Sequence, residues 1–134
     1  IDLLEASAAM VERLFPDFDR LESTDPLNEF VERGMAPAAA TGVAHVRAFY
    51  SPEQPDSRLP LDWNTTTDSL AALLAIRFAA SELILLKSSD PPAECQTADQ
   101  LAAAEFVDAA FPRMATSLNF SIVNLRDHSH RAPP

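Results

Sequence analysis

Asn64, Asp68 and Lys87 are the residues whose types and spacing could do chemistry. They fall in one stretch, LPLDWNTTTDSLAALLAIRFAASELILLKSSDPP, running from Leu59 to Pro92. Here a polar Asn/Thr run leads into Asp68 and an apolar helix, and an apolar strand then ends on Lys87, the only lysine in the chain. Two readings are open. In the first, Thr65 caps the helix and Asp68 answers from the third position, as in a capping box. Lys87 then keeps a strand end soluble. In the second, the stretch is a phosphoryl-transfer site, because open parallel sheets gather ligands where strands end and helices begin. A helix N-terminus attracts anions, and an aspartate placed there would repel phosphate unless it orients a lysine or helps to hold a metal. Asn64 could hold an acceptor through its two-way amide. Such chemistry needs positioning and electrostatic help more than it needs a protein nucleophile.

The elements that must position these groups follow from pattern. Leu3, Leu4, Met10, Val11, Leu14 and Phe15 stand at helical spacing, giving a helix over residues 2–15 with Glu5, Glu12 and Arg13 on its wet face. Thr24 or Asp25 caps a second helix, with Pro26 in its first turn and Gly34 just past its end. Residues 43–50 read as a strand and the prolines after them as a loop. Residues 66–80 are apolar nearly all round, as in a buried helix. ELILLKS has the continuous apolar form of a parallel strand covered on both faces. Two short helices follow, the first capped by Thr97, then a last strand, NFSIVNL. Residues 127–134 read as a frayed tail. Helix and strand alternate, so the class is α/β with a mainly parallel sheet, in a single domain over residues 1–134.

Bulk numbers bound the function. The chain has 134 residues and a net charge of -10, against a general nucleic-acid binder and against docking on anionic lipid. No signal peptide or membrane span is legible in the sequence. Cys95 is the single cysteine, so there is no internal disulfide, and the cytoplasm is the simplest compartment. Glu94 beside Cys95 argues against a reactive thiolate. Only two glycines are present, neither in a Gly-rich turn, which excludes both the GxGxxG and the GxxxxGK[ST] loops. Asp127, His128 and His130 have metal-ligand chemistry but no scaffold, and His45 reads as a partly buried strand residue, so no metal site is expected.

WNTTTDSLAALLA followed by ELILLKSSD resembles the second half of the amino acid kinase superfamily, which includes acetylglutamate, aspartate and uridylate kinases. The similarity is greatest to a uridylate-kinase-like branch with a SWDVTSDSLAAWLA block, which includes enzymes phosphorylating an aminomethylfuran phosphate. AAAEFVDAAFPRMA and SIVNL resemble the same branch, and the likeness spans residues 25–125. It implies a three-layer αβα fold and transfer of phosphate from ATP, with Mg2+, to a small carboxylate- or phosphate-bearing metabolite. Asn64, with Thr66 and Thr67, would hold the acceptor, and Asp68 would organise the phosphoryl site. Lys87, Ser88, Asp90 and Pro91 would line the nucleotide pocket. The family's Gly-Gly turn and catalytic lysine are absent from this sequence. Its LLTDVDG strand reads here as Leu85, Leu86, Lys87, Ser88, Ser89, Asp90 and Pro91, so Ser88 replaces the first aspartate. After GMAP the chain carries AAATG in place of a Trp-Leu-Pro-type stretch. The chain is therefore expected to be the nucleotide-side half of a kinase, forming a homo-oligomer or joining a complementary chain. The alternative is an inactive remnant or association subunit.

Overall fold

The computed structural model describes residues 2–34, 40–53, 56, 58–126 and 129–131, and the statements below concern these. Where the sequence suggests one domain, the chain forms two compact units, residues 1–54 and 55–134. Both are mixed α/β with parallel strand pairs. No helix among the described residues is long and apolar enough to cross a membrane.

Unit 1 is a helix packed on a small βαβ motif. Helix α1 (Asp2–Leu14) precedes strand β1 (Asp19–Leu21), helix α2 (Thr24–Gly34) and strand β2 (Gly42–Ala44), which pairs parallel to β1. Glycine suits position 42, where a Cβ would come within 2.9 Å of Leu21 Cδ1 and 3.2 Å of the Asp19 carbonyl oxygen, so that a larger residue would make Leu21 shift. The expected strand over 43–50 stops at Ala44, and a 3₁₀ turn, Val46–Ala48, follows His45. Thr24 already lies inside α2, and its hydroxyl donates to the Ala48 carbonyl at 3.1 Å rather than capping the helix.

α1 overturns the amphipathic reading. Leu3, Met10 and Leu14, expected in the core, are 78%, 61% and 66% exposed. Two residues of the expected wet face turn inward while Arg13 stays exposed: Glu12, 6% exposed, is the one buried residue among those described in the helix, with Leu4, Glu5, Ala8 and Val11 half-buried. Polar partners described below outweigh periodicity here.

Unit 2 is built on helix α3 (Thr67–Arg77), strand β3 (Leu83–Lys87), helices α4 (Ala98–Ala103) and α5 (Phe111–Ala115), and strands β4 (Phe120–Asn124) and β5 (Ser129–Arg131). The sheet order is β3-β4-β5, with β3 parallel and β5 antiparallel to β4. Residues 129–131, read from sequence as tail, thus form a strand, while the side chains of Asp127, His128 and His130 lie outside the described residues. Leu83 and Leu85 of β3 pair with Phe120 and Ile122 of β4, and all four are buried. With Leu70, Leu73, Leu101, Phe111 and Met114 they form the core, where Phe111 meets Phe120 edge to face at 5.2 Å. Ile84 and Leu86 point to the other face and are exposed, so β3 is covered on one face rather than on both.

α3 ends in a Schellman motif: the Ala80 N–H donates to the Ala75 carbonyl and the Ala79 N–H to that of Ile76. Ala79 holds the left-handed position at φ 47°, where glycine is usual. α4 ends in the same way on Glu105, at φ 55°.

Candidate functional site

The candidate site forms where α3 begins and β3 ends. Lys87, the last residue of β3, reaches back to Asp68 in the first turn of α3. Its Nζ donates to Asp68 Oδ2 at 2.7 Å and to Oδ1 at 2.9 Å. Asp68 is buried and Lys87 half-buried, so this ion pair is shielded from water more than a surface pair would be. The ammonium also lies 5.6 Å from the ring centre of Phe106, a cation–π contact.

Sequence reasoning missed Asp108, which holds the site together. Its Oδ2 accepts from the backbone N–H of Thr66 at 3.0 Å, from the Thr66 hydroxyl at 3.0 Å and from the Ser69 N–H at 2.9 Å. Its Oδ1 accepts from the Ser69 hydroxyl and from the Phe111 N–H, the latter at 2.9 Å. The backbone N–H of Asp108 in turn donates to Asp68 Oδ2 at 3.3 Å. Asp108 is therefore the cap of α3, supplied from 42 residues away along the chain, and it occupies the anion-binding end of the helix with a carboxylate of the protein's own. The local capping box does not form. Thr66, not Thr65, is the N-cap residue, and the Thr65 hydroxyl donates to the Pro60 carbonyl at 2.6 Å. The available signal was the spacing in VDAAF, an aspartate three residues before Phe111 and a proline-containing helix.

The structure brings Asn64, Thr66, Thr67, Asp68 and Lys87 together on one open cleft of about 560 Å³, also lined by Trp63, Glu105, Phe106 and Asp108. The Asn64 carbonyl accepts from the Ala110 N–H at 2.9 Å, fixing its backbone, while the residue itself is exposed. Trp63, the only tryptophan, is 96% exposed on the cleft. The remaining expected residues are not gathered there. Pro91 lines a second cavity of about 370 Å³, with Pro92, Cys95, Thr97, Leu101 and Phe120. Ser88 and Asp90 stand on the turn after β3, Ser88 exposed and Asp90 half-buried.

The cleft carries one ammonium, that of Lys87, paired with Asp68, and the Thr66 and Thr67 hydroxyls, the former donating to Asp108. A magnesium ion does not find free aspartates, because Asp68 is engaged by Lys87 and Asp108 by the start of α3.

Unit 1 contains a second network that sequence reasoning passed over. His45 is buried between two carboxylates of α1, with Nδ1 2.7 Å from Glu5 Oε2 and Nε2 2.9 Å from Glu12 Oε1. Burial works against its charge, but hydrogen bonds with Glu5 and Glu12, and their negative charges, raise its pKa above the ordinary 6.5. For Glu5, burial is outweighed by the bonds from His45 and the Arg47 N–H, and its pKa is lowered.

Comparison of the chain with family models, curated proteins and solved structures finds no match.

Proposed function

We propose that the chain is the nucleotide-side half of an amino acid kinase-type phosphotransferase, acting on a small carboxylate- or phosphate-bearing metabolite. The observation that carries this is the two-bonded Lys87–Asp68 pair at the mouth of β3 and α3, on one cleft with Asn64, Thr66 and Thr67. Asp68 is the orienting group: it holds the ammonium in one place, so that no reorganisation is needed when phosphate charge arrives. Lys87 supplies the positive charge for the phosphoryl oxygens. This is a role the resemblance gave to a lysine outside this sequence. Because Asp108 fills the start of α3, phosphate binding rests on Lys87 and the threonine hydroxyls rather than on the helix end. Asn64 offers its amide to the acceptor. ATP would supply the phosphoryl group, and magnesium would come held by its phosphates. In the complete three-layer fold, further strands would add at the β3 edge and a helix layer would cover Ile84 and Leu86.

A second reading is an inactive subunit that only associates. The exposed apolar face of β3 favours it, since such an edge templates pairing with another chain. Phosphate release from Mg·ATP, with a panel of small carboxylates and phosphomonoesters as acceptors, separates the two. The kinase reading expects turnover that disappears in Asp68→Asn. No turnover with any acceptor favours the associating subunit, and turnover unaffected by the substitution overturns the site.

A further inference from the structure

α1 is unusual for a helix, because Leu3, Met10 and Leu14 face out while Glu5 and Glu12 face in. Every charged group around His45 can be accounted for. From α1 come Glu5 and Glu12, on the two ring nitrogens. From β1 comes Arg20, whose Nε is 3.9 Å from Glu12 Oε2. The turn after β1 contributes Glu22, and the 3₁₀ turn contributes Arg47, which lies 3.4 Å from Glu5 and 3.3 Å from Glu22. The His45 backbone N–H donates to the Leu21 carbonyl at 3.0 Å, so its main chain is held to β1.

We propose that α1 is latched by a proton: as an imidazolium, His45 ties Glu5 and Glu12 to the β2–3₁₀ segment, and loss of that proton frees the helix. A neutral imidazole has one N–H, so one of its two nitrogens would face a buried carboxylate with a lone pair. In the protonated state both nitrogens donate, and the three carboxylates are matched by His45, Arg20 and Arg47. Donor atoms of Glu12, Glu22 and His45 also lie within 4.8 Å of one another. That spacing belongs to the proton rather than to a metal, because Arg20 and Arg47 already neutralise the two glutamates. Apolar packing adds little, since among the described residues of α1 only Glu12 is buried and Leu4, Ala8 and Val11 are half-buried. The raised His45 pKa fixes the sign. The latch is complete below pH about 6.5, the ordinary histidine value, and is lost as pH rises through the higher value of the folded state.

Amide hydrogen exchange of α1 tests this, corrected for the intrinsic rate and followed from pH 6 to 9 alongside the His45 Cε1 proton resonance. The latch predicts α1 protection falling by up to about tenfold per pH unit between pH about 6.5 and the His45 midpoint and levelling off above it, with β3 and β4 amides unchanged. In His45→Gln that dependence disappears. Flat α1 protection across a visible His45 titration overturns the proposal, as does the same slope in the variant. Zinc ion that restores α1 protection at pH 9 also overturns it, since the cluster would then be a metal site. Should the variant fail to fold, the wild-type comparison of α1 protection with the His45 resonance decides alone.

Discussion

Two charged networks, one in each unit, fasten a helix in this molecule, and they do so with opposite signs. In unit 1 His45, a cation when protonated, sits between two carboxylates of α1. In unit 2 an anion, Asp108, sits on the positive end of α3. What differs is the packing beneath. α3 buries Leu70, Ala72, Leu73 and Ala75 and belongs to the core of its unit, whereas among the described residues of α1 only Glu12 is buried. Polar groups therefore orient a helix that apolar burial already holds in unit 2, and are themselves much of what holds the helix in unit 1.

The comparison can be broken at four points. Asp108→Ala should cost the most, about 3 kcal/mol, because it strips the α3 cap and leaves the fully buried Ser69 without its carboxylate. Urea unfolding followed by Trp63 emission measures it in unit 2, and a change within 0.5 kcal/mol would mean that other groups satisfy the α3 terminus. Next, Glu12→Gln should destabilise unit 1 by about 2 kcal/mol by leaving His45 with one carboxylate partner. The sole tyrosine, Tyr50, buried in unit 1, is the probe, and the Trp63 transition should stay where it was. Ala79→Gly should stabilise unit 2 by about 1 kcal/mol, since it relieves the left-handed position in the α3 Schellman motif. A loss of stability there would show that backbone entropy outweighs strain. The smallest effect belongs to Asp56, whose pKa the Arg58 guanidinium, bonded to it, lowers from 3.8 to about 2. Its contribution is present above pH 3.8 and fades as pH falls towards 2, so Arg58→Ala should narrow stability to acid by less than about 1 kcal/mol.

Much of the site was legible because it is local. The Asn/Thr run before an apolar helix located the start of α3 to within one residue, and ELILLKS located β3 as a parallel strand. That placed Asn64, Asp68 and Lys87 on facing termini, where the structure joins the last two. Asp108 was not legible in this role, because its partners Thr66 and Ser69 lie 42 and 39 residues away and no local pattern marks such a bond. α1 failed for a different reason. Its 3.6-residue period marks Leu3, Met10 and Leu14 as an apolar face, but period alone does not say which face turns inward when a buried histidine offers two nitrogens to the acids opposite. β1, three residues long, is too short to leave a pattern.

Emission of Trp63 during titration with Mg·ATP, in the wild-type chain and in Lys87→Ala, tests the central assignment most directly. Trp63 is the only tryptophan and lines the same cleft as Lys87. The account predicts a saturable change in the wild type and at least about tenfold weaker binding in the variant, the loss expected for a charge-assisted bond to phosphate. Binding of equal strength in both would contradict it, and so would no saturable change in the wild type at millimolar nucleotide.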